Sequence, residues 1–278
     1  MALKKASFLI GAALAWAALF CALSGPRAEG PAAAPADLGK YDANAIIAKV
    51  QELMRGDSNY SEMKMTIYNP DWPGPRAYEM KSWEDKVSNR SFIRIISPAS
   101  ERGKAFMKDG NVFKVYIPTE RENKPLTIPP SMMLQSWMGS DFSNDDLVHE
   151  SSEINDYDHK VIGLDQGESG ELLVKVEFTP KPEAPVVWGK IVTWVRVEDY
   201  IPVRYVYHDE DGTAVREMDL TAIKEMGGRK LPTVWEMKSL EPDQKGRRTL
   251  IEIEKIEFDI KIDPSTFTDK NLTRRDWD

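Results

Sequence analysis

The stretch Trp137-Met138-Gly139-Ser140-Asp141-Phe142-Ser143-Asn144-Asp145-Asp146-Leu147 stands near the middle of a 278-residue chain, between two sets of short alternating segments. It joins large apolar side chains to a glycine hinge and to Ser, Asn and Asp residues that favour turns and helix caps. The order predicts a loop and short helix lying over the mouth of an antiparallel sheet. Just upstream, Pro129-Pro130 starts the segment afresh, and Ser131 to Met138 predicts two helical turns carrying Met132, Met133, Leu134, Trp137 and Met138. Five large apolar side chains in so short a piece require burial, either against the sheet or against a ligand. Methionine adapts to varied apolar partners, which suits the second use. The interval from Thr119 to Glu153 has no strand period, and ordered connections of that length tend to be functional.

Moving outward toward the N-terminus, Asp42 is placed to cap a helix whose apolar face is Ile46, Ile47, Val50, Leu53 and Met54. Gly56 ends it, so the helix spans roughly Ala43–Met54, and Arg55-Gly56-Asp57 reads as a helix stop and not as an adhesion tripeptide. From Ser61 the period changes to two: Met63, Met65 and Ile67 alternate with polar residues. Asn69 to Pro75 breaks that strand with a Trp72-tipped loop, and a second strand follows through Tyr78, Met80 and Ser82. Phe92 to Ile96 is a third. Ala105 to Lys108 and Val112 to Ile117 flank the tight turn Asp109-Gly110-Asn111. On the C-terminal side of the central stretch, strand follows strand: Val161–Leu164, Leu172–Phe178, Ile191–Val197, Val203–Tyr207, Val215–Ile223, Thr233–Met237 and Leu250–Phe258. This pattern predicts a mainly β fold, a curved antiparallel sheet of about eleven strands with helices across its concave face and an apolar hollow beneath them. Which strand face points inward stays open, because several strands carry aromatics on both faces.

The first residues read as targeting information. Lys4 and Lys5 precede an apolar run from Ala6 to Leu23, and Ala22-Leu23-Ser24 offers small residues before a cleavage site, so residues 1–24 are expected to be a signal peptide. Residues 25–40, rich in Pro and Ala, are expected to be a flexible tether. The fold is expected over 41–278. Cys21 is the only cysteine and lies in the leader, so the mature chain has no thiol chemistry. Removing Lys4 and Lys5 from 37 basic residues, against 45 acidic, takes the formal net charge from −8 to −10. That balance excludes nucleic acid as a general partner.

Catalytic templates find nothing to match. There is no phosphate loop, dinucleotide fingerprint, His-Glu-x-x-His or Gly-x-Ser-x-Gly. His149, His159 and Asp158 lack zinc-site spacing. Asp141, Ser143 and Asp145 begin like a calcium loop, but Asp146 stands where glycine is required and Ser152 where a bidentate glutamate is required. The acidic run therefore reads as a solvated, helix-capping turn, and no metal or cofactor is expected.

The central stretch resembles the Phe-Met-Gly-Ser-Asp-Phe … Asp-Leu signature of the LolA-like outer-membrane lipoprotein-sorting proteins, with Trp137 where the family commonly has Phe. Ser97-Pro98 with Arg102-Gly103, Val115-Tyr116-Ile117-Pro118, Trp194-Val195, Tyr200-Ile201-Pro202 and Asp211-Gly212 match further family pieces in order, from about Tyr41 to Leu272. The resemblance implies an unclosed β-barrel with helical lids and a cavity for lipid or lipoprotein acyl chains, in a monomeric periplasmic protein that is not an enzyme. It also implies work beside an inner-membrane RND-type exporter. On this reading Met132, Met133, Trp137, Met138 and Phe142, with Met65 and Trp83 from the first two strands, are candidate ligand-binding residues. Arg90 matches by order an arginine that holds the family's lid. Gly139, Ser140, Asp141, Asp145 and Asp146 form the lid or docking loop. The alternatives are an accessory protein docking on the exporter through Trp137–Leu147, and a periplasmic hydrolase using Asp141 or Asp145.

Overall fold

The computed structural model describes residues 37–118, 124–149, 153–184 and 186–274. The expected signal peptide and the tether as far as residue 36 lie outside the described residues; the last tether residues, Leu38–Lys40, form one 3-10 turn.

The chain runs as two antiparallel meanders. The first is β1 (Ser58–Tyr68), β2 (Arg76–Asp85), β3 (Arg90–Ser97), β4 (Ala105–Asp109), β5 (Val112–Tyr116) and β6 (Leu126–Thr127). The second is β7 (Tyr157–Gln166), β8 (Leu172–Pro180), β9 (Lys190–Arg196), β10 (Pro202–His208), β11 (Ala214–Met226), β12 (Arg229–Ser239) and β13 (Arg248–Phe258). Pairing of β1 with β13 joins them into one thirteen-stranded sheet, ordered β6-β5-β4-β3-β2-β1-β13-β12-β11-β10-β9-β8-β7. The count exceeds the eleven expected. The two-residue strand Leu126–Thr127 is one that no period-2 pattern can announce. Register shifts at Glu62/Met63, Glu79/Met80 and Val161/Gly163 are bulges, which raise local twist and bend the sheet. The sheet stays unclosed: β6 and β7 are its two edges, and the chain between them, 128–156, carries the central stretch.

Helix α1 (Ala43–Arg55) packs on the inner face. Asp42 Oδ1 accepts the Asn44 and Ala45 N–H groups at 2.9 and 3.2 Å, and Gly56, at φ 64°, ends the helix as expected. Its buried stripe of Ala43, Ile46, Ile47 and Val50 meets Met65, Ile67, Met80, Ile95, Val176 and Met237 in the main core. Each such aliphatic chain contributes about 1.5–3 kcal/mol. A second cluster explains the aromatics on both faces. Phe92, Met107 and Tyr116 point away from the main core and are covered by a C-terminal strap. That strap comprises a 3-10 turn, Pro264–Phe267, and a short helix, Asp269–Leu272. The guanidinium of Arg94 donates to the carbonyls of Asn271 (2.6 Å) and Arg274 (3.1 Å) and so ties the strap down. Burial, with Arg274 nearby, lowers the Arg94 pKa to about 10.

The expected helix over Ser131–Met138 does not form. A 3-10 turn covers Pro130–Met132, and the first α-helix of the lid, α2, is Asn144–His149. Met138 and Gly139 have φ of 56° and 80°, which no right-handed helix tolerates. Leu134, expected to be buried, is 64% exposed.

Candidate functional site

Between α1, the central stretch and the inner face of the sheet lies a cavity of about 200 Å³. Its middle is apolar, walled by Met63, Met80, Ile93, Met218, Leu220 and Ile251. An apolar void of about 150 Å³ is enough for a benzene ring, so the space here is large enough for a segment of hydrocarbon.

Strand register makes the cavity change character along its length. Met63, Met80 and Ile95 form one cross-strand layer of β1, β2 and β3. The next layer is Ser61, Ser82 and Ile93, and the last is Asn59, Glu84 and Ser91. Gln51 and Arg55 of α1 border the same polar end. There Arg55 pairs with Glu84, and the Asn59 amide donates to Glu84 Oε2 at 2.9 Å and to the Arg55 carbonyl at 3.1 Å.

The lid closes the opposite end. Trp137 to Ser140 makes a tight turn in which the Ser140 N–H donates to the Trp137 carbonyl at 2.9 Å. Both central residues have positive φ, as in a type I′ turn. The Trp137 N–H donates to the Phe142 carbonyl at 2.7 Å, and the Ser140 hydroxyl donates to the Trp137 carbonyl at 2.6 Å, so the loop is bonded through its own centre. Trp137 sits edge-on to Phe106 at 5.3 Å, and Trp72 from the β1–β2 loop lies over Gly139. Ser143 and Asp146 cap α2 reciprocally: the Ser143 N–H donates to Asp146 Oδ2 at 2.7 Å, and the Asp146 N–H to Ser143 Oγ at 3.3 Å.

Two carboxylates fasten this lid to the sheet. Asp141 Oδ2 accepts the Thr249 hydroxyl at 2.7 Å, while Thr249 Oγ1 accepts the Asp141 N–H at 2.9 Å. Burial raises the Asp141 pKa, against the opposing influence of that hydroxyl and of Arg247 and Arg216. Asp146 takes both arms of Arg216 on β11, one at 2.8 Å. Arg216 also donates to the Asp141 carbonyl at 3.2 Å. Its guanidinium is sandwiched between Trp188 and Tyr207, at 4.1 and 4.3 Å. Burial works against the charge of Arg216, but Asp146, with Tyr207 and Asp145, more than offsets it and the pKa is raised. The acidic run thus caps a helix as expected but is not solvated, since Asp145 is buried and Asp146 is nearly so.

Of the expected ligand residues, Trp137 and Phe142 line the cavity, as do Asp145 and Asp146 of the lid. Met133 and Met138 pack against the main core, and Met132 lends its carbonyl to the Asn144 amide at 3.0 Å. Met65 is fully buried in the core beside the cavity. Trp83 and Arg90 stand elsewhere. Trp83 packs on Tyr60 and Phe92 with the outer cluster. Arg90 lies over Phe267 and bonds the Ser88 hydroxyl at 2.8 Å. The arginine that holds the lid is Arg216. Its signal was in the sequence: it shares the alternating phase of Met218 and Leu220, a charge on the apolar face of a strand.

Comparison with curated proteins finds no match. A family model described as an uncharacterized-protein-like family matches residues 87–274. Three solved structures share the fold. A DUF1329 family protein from Desulfovibrio piger has a TM-score of 0.72 at 20% identity, over 82% of this chain and 97% of that one. An outer membrane lipoprotein-sorting protein domain from Vibrio parahaemolyticus has a TM-score of 0.72 at 18% identity, over 84% and 98%. A LolA superfamily protein from Nitrosomonas europaea has a TM-score of 0.69 at 19% identity, over 83% and 99%. The chain therefore belongs to the family whose model it matches over residues 87–274, and its unclosed thirteen-stranded sheet has the fold of the LolA superfamily structure and of the lipoprotein-sorting protein domain.

Proposed function

We propose that the protein is a periplasmic carrier or chaperone that holds a lipid or lipoprotein acyl chain in the cavity and releases it when the lid opens. The observation that carries this reading is the cavity itself: about 200 Å³ of space with an apolar middle, under a lid fastened by side-chain bonds. Each methylene transferred from water into it contributes about 0.8 kcal/mol. The reading is of a binding protein and not an enzyme. Two of the carboxylates that line the cavity are engaged in ion pairs, Asp146 with Arg216 at the lid and Glu84 with Arg55 at the polar end. An inner-membrane RND-type exporter is the partner that the family resemblance suggests for loading or unloading.

Native mass spectrometry of the mature protein purified from the periplasm, followed by lipid extraction, tests this. A bound acyl species at defined stoichiometry supports the carrier. A clean apo mass, with no uptake of a fluorescent fatty acid, overturns it.

A further inference from the structure

The cavity ends in a polar floor, and hydrocarbon has no use for one. We propose that the occupant is a neutral lipid with one hydrocarbon arm and a hydroxyl-bearing head. The head sits on the floor beside Ser61, Ser82, Ser91 and the Arg55–Glu84 pair, and the arm points to Trp137 and Phe142. This deepens the carrier reading above and rests on it.

Position is the first support. The inward phase of β1 reads Asn59, Ser61, Met63, Met65, Ile67, and that of β2 reads Glu84, Ser82, Met80, Tyr78. In both strands the polar residues occupy the same end, and the antiparallel register puts them side by side, with Ser61 opposite Ser82 and Glu84 opposite Ser91. Polar side chains scattered at random would not line up in adjacent layers.

Burial is the second. Gln51, Arg55, Asn59 and Ser61 are 4%, 8%, 7% and 4% exposed. A few buried polar groups at one end of an apolar pocket are the usual means of orienting a ligand.

Charge selects the head. Arg55 is matched by Glu84, so the floor carries no net charge. A carboxylate or phosphate brought there would face Glu84 and lack a free cation in a poorly solvated site. A hydroxyl both donates and accepts, which matches the serine hydroxyls of the floor. Volume selects the arm, since about 200 Å³ suits part of one chain and not several. The rival seat for a polar group is the lid end. There the indole N–H of Trp137 is buried without a hydrogen-bond partner among the described residues.

Displacement of the neutral apolar dye N-phenylnaphthylamine from the purified protein, by monopalmitoylglycerol and by palmitate, tests the proposal. Monopalmitoylglycerol is expected to displace the dye at concentrations about tenfold below palmitate, the effect of one well-made hydrogen bond kept or lost. Ser82→Val with Ser91→Val is expected to bring that ratio within about twofold, and Trp137→Phe to shift both lipids together. Displacement by palmitate at equal or lower concentration overturns the proposal and leaves the carrier reading standing; this comparison needs no variant to fold. A preference that vanishes in Trp137→Phe and survives in the serine variant overturns the orientation. No dye uptake at all overturns the carrier reading and this proposal with it.

Discussion

Two segments cover the sheet, one on each face, and each is tied down by a buried arginine from a strand. On the outer face the C-terminal strap is held by Arg94, which donates to two backbone carbonyls. Beneath it Phe92, Met107, Tyr116, Phe267 and Leu272 pack together. On the inner face the lid is held by Arg216, which grips the carboxylate of Asp146. Beneath part of the lid lies the cavity. The same device therefore serves opposite ends. A cover over solid packing gains dispersion and burial along its whole underside. A cover that partly overlies a cavity gains less beneath, so more of its closure rests on the side-chain bonds at its rim.

Equal truncations in the two covers give the largest and most direct contrast. Phe267→Ala is expected to cost about 3–5 kcal/mol, the usual loss for a buried phenylalanine. Phe142→Ala, which already borders empty space, is expected to cost about 1–2 kcal/mol because fewer contacts are lost. Urea unfolding followed by circular dichroism measures both, and equal losses would mean that the lid is as firmly seated as the strap.

The rim bonds come next. Arg216→Ala strands Asp146 under the lid and is expected to weaken closure by about 3 kcal/mol. Amide hydrogen exchange over Trp137–Leu147 should then accelerate about 100-fold while β1 and β13 keep their protection. Global loss of protection would show that the lid and sheet open as one unit. A smaller effect is expected at Gly139, whose φ of 80° is unfavourable for a side chain. Gly139→Ala should cost about 1 kcal/mol, although an added Cβ would stand an ordinary 3.5 Å from the Trp72 ring.

The smallest effect has a definite sign with pH. Burial holds the folded-state pKa of Asp141 above its ordinary value. Its contribution to stability is therefore fully present only below the ordinary carboxylate range and is lost as pH rises through the raised pKa. Asp141→Asn keeps an acceptor for the Thr249 hydroxyl and removes the titration. Thermal unfolding should show the variant equal to or slightly above wild type near neutral pH, with the advantage shrinking in acid. A variant that loses ground steadily as pH rises would reverse the assignment.

Much of the architecture was open to local reading. Asp42 and Gly56 bound α1 because capping and a positive φ are properties of single residues. The strands followed from period-2 alternation. Local reading failed where partners are remote. Ser131–Met138 carries helix-compatible residues, yet positive φ at Met138 and Gly139 turns it into a loop. Trp83 and Met65 have the same apolar character, but one joins the outer cluster and the other the inner core, since a strand's own pattern does not say which face is covered by what.

The alternating hydrophobicity, the punctuating turns and the signature at Trp137–Leu147 were sufficient to specify a curved antiparallel sheet with a central lid, because each depends on neighbours a few residues apart. Pairing at long range supplied the rest. The contact of β1 with β13 makes one sheet of two meanders, Arg216 reaches an aspartate seventy residues away, and register sets Asn59, Glu84 and Ser91 in one layer. Those relations are between segments distant in the chain, and strand pairing and side-chain packing bring them together only when the sheet has formed.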